Sequence, residues 1–151
     1  TFIRQLQFAR IEILYTRARL CLALARKRDR TKMLAAARRD ANAILKEDVP
    51  WGFALGRLLL ACAASFDDAA LSLSLVEELQ GQFDALDMRL FQEVVRYRHG
   101  QLRRGEEGRA AVERAQAAIR ALGVVRPEAF VAMLAPGFPG LEVVPRETRD
   151  G

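Results

Sequence analysis

Two apolar stripes run side by side along the opening stretch of this chain. Phe2, Leu6, Ala9, Ile13, Thr16, Leu20 and Ala23 form one at heptad-like spacing, and Phe8, Ile11, Tyr15, Ala18, Leu22 and Ala25 form the other. A 3.6-residue period held over residues 2–26 specifies a helix. A helix greasy on two faces is expected to be packed from two sides. Its remaining polar line, Gln5, Glu12, Arg19 and Arg26, with Arg10 and Arg17 close by, is what an inner helix of a layered helical stack would carry.

The rest of the chain repeats the helical period and never adopts the alternation of a strand. After the charged break at residues 26–30, Asp29 or Thr31 is placed to cap a second helix through Met33, Ala37, Ala41 and Ile44, which Pro50 stops. Trp51 to Ser65 reads as a third helix. Asp67 is expected to cap a fourth, with Leu71, Leu75, Val76 and Leu79 on its buried side and Gly81 at its end. A further pair starts near Asp84 or Asp87, turns at Gly105 and closes at Gly123. The fold predicted is all-α: a right-handed stack of about three antiparallel hairpins, residues 2–47, 51–81 and 85–123. A short capping helix, 127–135, completes a domain over 1–138. Beyond Pro136-Gly137 the chain reads as an ordered strap fading into a flexible tail, 139–151.

Internal similarity supports the hairpin pattern. Arg19 to Ala25, followed by Asp29, lines up with Arg57 to Ala63, followed by Asp67. Small residues at matching places, Ala23, Ala61 and Gly100, are expected to let neighbouring helices approach closely.

Charge is uneven. Residues 51–87 hold one cation against six acids, whereas 1–30 hold eight cations against two acids and 88–120 eight against four. Arg10 and Arg17 share a face, as do Arg89, Arg96 and Arg103. Arginine far outnumbers lysine, acids are interleaved and no reading motif is present, so a nucleic-acid partner is disfavoured. Cys21 and Cys62 sit singly in Ala/Leu-rich runs, which points to reducing, cytoplasmic surroundings. With His99 they are too far apart for a metal site, and no motif implies a cofactor. Glu93, Arg96 and Arg98 lie near His99, but no nucleophile accompanies them, so a helix-surface histidine is the plainer reading. Asp67-Asp68 and Glu77-Glu78 read as a helix cap and a solvated face. No apolar run approaches the roughly 18–20 residues that span a bilayer, and the helical pattern begins at once with no signal segment, as in a piece of a longer protein.

The spacing Leu55-Gly56-x-x-Leu59, then Ala69, Leu73 and Val76, resembles a degenerate tetratricopeptide repeat; the third repeat departs from it at Arg103, where a tyrosine is usual. Gly105-Glu106-Glu107-Gly108-Arg109-Ala110, Gly123-Val124, Pro127 and Met133-Leu134-Ala135-Pro136-Gly137-Phe138 resemble the C-terminal helical region that follows the kinase domain in many bacterial, especially myxobacterial, serine/threonine protein kinases. The resemblance, over residues 50–138, implies a regulatory or scaffolding tail without catalytic machinery. The chain has no Gly-rich phosphate loop, His-Arg-Asp or Asp-Phe-Gly.

The function expected is therefore protein–protein interaction. The first helices of the hairpins would line a concave face that takes an extended or helical acidic peptide. Arg19, Arg57, Arg96 and Arg103 would supply charge-assisted hydrogen bonds, and Trp51, next to Phe53, an aromatic anchor. The alternative is self-association or docking within a parent protein through exposed apolar residues such as Phe2 and Phe8.

Overall fold

A computed structural model describes residues 1–141. Seven helices follow one another: α1 (Phe2–Leu24), α2 (Arg30–Leu45), α3 (Pro50–Ala64), α4 (Ala69–Ala85), α5 (Arg89–Arg103), α6 (Gly105–Ala121) and α7 (Pro127–Leu134). No strand occurs among the described residues.

Local chemistry fixes most of the boundaries. The Asp29 carboxylate accepts from the Lys32 amide at the start of α2, and Asp68 accepts from the Leu71 amide at the start of α4. In both, a carboxylate meets backbone N–H groups that have no helical partner. Val49 is extended, as a residue before proline prefers, and Pro50 opens α3 where its missing N–H costs nothing. The turns into α3 and α5 each place an aspartate, Asp48 and Asp87, in the left-handed region. Caps (29 to 68) and turn residues (48 to 87) thus recur at one 39-residue step.

Each helix packs on the next, α1 also touches α3, and α7 touches α5 and α6. Contacts close to each turn and far from it, Arg17–Asp40 with Gln7–Glu47, Ser72–Ala61 with Arg57–Glu78 and Gln92–Asp84 with His99–Glu77, show that these neighbours run antiparallel. The core is centred on α3, where Leu55, Leu58, Leu59, Ala61, Cys62 and Ala63 are all buried. It draws Ile11, Tyr15 and Leu22 from α1, Val76, Leu79 and Phe83 from α4, and Val94 and Val95 from α5. Asp40 is buried, and the exposed Arg17 covers it with two bonds of 2.7 and 2.5 Å. At the α5–α6 crossing a Cβ on Gly100 would stand 2.8 Å from the Gly108 carbonyl oxygen, and one on Gly108 would stand 2.5 Å from that of Gly100. Only glycine permits that approach.

Several expectations change. The stripe Phe2, Leu6, Ala9, Ile13, Thr16, Leu20, Ala23 is exposed along its whole length, so α1 is covered from one side and lies at the edge. Gly81 does not end α4, which continues to Ala85, because Leu79 and Phe83 hold its last turns in the core. The second pair of helices therefore spans 50–85. Asp68, not Asp67, caps α4; Asp67 pairs with Arg38. Leu71 is exposed, and so is Ala23, which brings no helices together. Of the expected tail, residues 142–151 lie outside the described residues, while Leu141 is tied down, its carbonyl accepting a hydrogen bond from Gln101.

Candidate functional site

Helices α1, α3 and α5 form one surface, and the segment from Val131 to Leu141 lies on it. Helix α7 ends at Leu134, just ahead of Pro136, and a helix end leaves carbonyls without intrahelical partners. Three successive carbonyls find donors on this surface. Arg19 Nη1 donates to Met133 O at 3.0 Å and Tyr15 Oη to Leu134 O at 2.6 Å. Arg98 donates to Ala135 O through Nε and Nη2 at 3.0 and 2.6 Å. Two guanidinium groups at the negative end of a helix are electrostatically favourable as well.

Beyond α7 the chain enters a narrow slot. Gly137 has φ 110°, and a Cβ there would stand 3.0 Å from Cys62 O, Phe66 and Ser65 Oγ, so only glycine fits. The Phe138 amide donates to Ser65 Oγ at 2.8 Å, while that hydroxyl donates to Cys62 O at 2.6 Å. Phe138 is 1% exposed, and Arg98 lies 4.5 Å from its ring centroid. Phe138 has φ 55°, a conformation costing on the order of 1–3 kcal/mol that surrounding contacts must outweigh. Gln101 orients Arg98, accepting from Nη1 at 2.8 Å.

Burial sets the protonation of this surface. It pushes the Tyr15 phenol well above its ordinary value, so Tyr15 stays a donor to Leu134. It pushes the Cys62 thiol up to about 12, which keeps the sulfur neutral; the Cys62 carbonyl does the binding here. Tyr97 is also raised by burial. Beside the segment lies a cleft of about 730 Å³ whose walls, among the described residues, include Lys27, Arg126 and Glu128.

The arginines expected to act together are dispersed. Arg19 alone lies on the α1–α3–α5 surface. Arg57 bonds Glu78 of α4 and lies over Phe53. Arg96 bonds Glu93 and Arg103 bonds Glu107, and both line a separate cleft of about 620 Å³ with His99 and Arg114. His99 stands 3.4 Å from Glu77. Trp51 packs on Phe8 with ring centroids 5.5 Å apart, lining a third cleft with Val49, Met88 and Phe91. Seven-residue spacing on one helix had grouped Arg96 with Arg103, but it carries no information on which helix faces Arg19. Tyr15, Ser65, Arg98 and Gln101 escaped sequence reasoning, since their partners lie 37 to 119 residues away. The one available signal was the phenylalanine set between Pro136-Gly137 and Pro139-Gly140.

Comparison with protein-family models, curated proteins and solved structures found no match. No helix among the described residues is long and apolar enough to cross a membrane.

Proposed function

We propose that the chain is a non-catalytic protein-interaction module, a right-handed stack of tetratricopeptide-like hairpins. Its α1–α3–α5 surface takes a short helical segment ending in an extended turn. The observation that carries this reading is the row of three donors, Arg19, Tyr15 and Arg98, on three successive carbonyls of the chain's own segment. Main-chain recognition of this kind is independent of the ligand's side chains. Specificity would come from the Phe138 slot, and Lys27 and Arg126 in the neighbouring cleft would suit an acidic ligand. The likeness of residues 105–138 to the region following bacterial serine/threonine kinase domains fits a regulatory or scaffolding tail of a larger signalling protein.

The test is a fluorescence-anisotropy titration of a labelled peptide of residues 127–141. The receptor is the chain carrying Phe138→Lys, which sets a second cation beside Arg98 and so loosens the resident segment, with helicity checked by circular dichroism. Saturable binding that weakens at least tenfold when Arg98→Ala is added is the expected result. A folded Phe138→Lys chain that binds no peptide would overturn the reading.

A further inference from the structure

The exposed stripe of α1 has the layout of a coiled-coil seam. Leu6, Ile13 and Leu20 occupy one core position of successive heptads, and Ala9, Thr16 and Ala23 the other. The large members are more than half exposed, Leu6 at 54%, Ile13 at 65% and Leu20 at 61%. Phe2 and Ile3 extend the patch at 72% and 78%. The face that α1 buries, through Ile11, Tyr15, Ala18 and Leu22, lies on the opposite side of the helix.

We infer that this seam is an interface between two copies of the chain, with their α1 helices packed antiparallel about a two-fold axis. Size and charge both select that arrangement. With the helices antiparallel, Leu6 faces Ala23 of the second copy, Ala9 faces Leu20 and Ile13 faces Thr16. Every layer then joins a large residue to a small one. A parallel pair would stack large on large and leave Ala9 and Ala23 facing themselves across underpacked layers.

The flanking positions agree. On one side Glu12 meets Arg19 of the second copy, and by symmetry Arg19 meets Glu12, giving two ion pairs. Glu12 makes no ion pair among the described residues, and Arg19, which gives Nη1 to Met133 O at 3.0 Å and Nη2 to Thr16 Oγ1 at 3.4 Å, has further N–H groups to offer. On the other side Ile3 meets Leu24, which is 41% exposed, and Arg10 meets Arg17. That last contact brings like charges together, but each is already neutralised within its own chain: Arg10 lies 2.9 Å from Glu47, and Arg17 is bound to Asp40. In the parallel arrangement Glu12 would instead need Arg17, which Asp40 already holds. Arg19 is common to the seam and the groove, one N–H group holding Met133 O while others face the second copy, and the interface does not depend on the groove being a ligand site.

Sedimentation velocity and light scattering of the full chain over a hundredfold concentration range test the inference, together with disulfide trapping in a Cys21→Ser background. The expected mass rises to twice the 16.9 kDa of the chain. Ile13→Glu, a change at an exposed site, should keep the mass at 16.9 kDa with unchanged helicity. Mixing Ile13→Cys and Thr16→Cys chains should give a crosslinked heterodimer, while Leu6→Cys chains alone should not crosslink. A monomer at every concentration would overturn the proposal and leave the seam to a different partner, such as a helix of a longer chain. A dimer that survives Ile13→Glu would place the interface elsewhere, and efficient Leu6→Cys crosslinking would refute the antiparallel register.

Discussion

Replacing Phe138 by alanine separates a structural strap from a loose end. Phe138 is 1% exposed and lies against Arg98 with its amide bound to Ser65. Emptying a fully buried phenylalanine site costs about 3–5 kcal/mol, and the lost contact with a guanidinium adds roughly 0.5–2 kcal/mol. Local release of the segment sets a ceiling, because residues 135–141 can peel away while α1 to α6 stay folded. The expected loss is therefore about 3 kcal/mol, or roughly 6–12 °C in Tm for a domain of this size. Urea unfolding followed at 222 nm, with the slope m checked for constancy, measures it. A change below about 0.5 kcal/mol, the scale of an exposed substitution, would refute the packing argument.

Other consequences can be checked by similar means. Asp68→Ala should cost about 1 kcal/mol through loss of the α4 cap, whereas Asp67→Ala, which breaks only a surface pair with Arg38, should cost less than about 0.5 kcal/mol; chemical denaturation of both variants decides between them. Gly137→Ala introduces a Cβ 3.0 Å from the Cys62 oxygen at a positive φ and should lower the melting temperature, whereas Gly140→Ala, with nothing near its Cβ, should lower it less. Stability should also fall in alkali. The folded chain holds the Cys62 thiol at about 12 and the Tyr15 phenol higher, against ordinary values of 9.0 and 10.0. Their contribution is complete below about pH 9, and it declines above that as the unfolded chain ionises first, until the folded groups titrate too. Denaturant midpoints at pH 8 and pH 11 test the sign, and a higher midpoint at pH 11 would contradict it.

The helices were legible in the sequence because 3.6-residue periodicity, proline stops and aspartate caps are local signals. What failed was also local in origin. Gly81 looks like a helix end, yet the roughly 1 kcal/mol that a mid-helix glycine costs is outweighed by burial of Leu79 and Phe83. Asp67 and Asp68 are adjacent and chemically alike, so only the path of the turn decides which reaches the free amides. The two stripes of α1 are equally apolar, and the sequence does not say which one the rest of the chain covers. The groove was least legible: Arg98 matters because Ala135 and Phe138 come to it from far along the chain, whereas Arg57, Arg96 and Arg103 are claimed by acids on neighbouring turns or helices.

The α1–α3–α5 surface holds the chain's own segment through main-chain carbonyls and the Phe138 amide. Amide hydrogen exchange of the full chain, read across residues 135–141, tests it most directly. The Phe138 amide should be strongly protected, and Arg98→Ala or Ser65→Ala should abolish that protection while α1 to α6 keep theirs. Exchange of that amide at the rate of an unstructured peptide in the unaltered chain would contradict it.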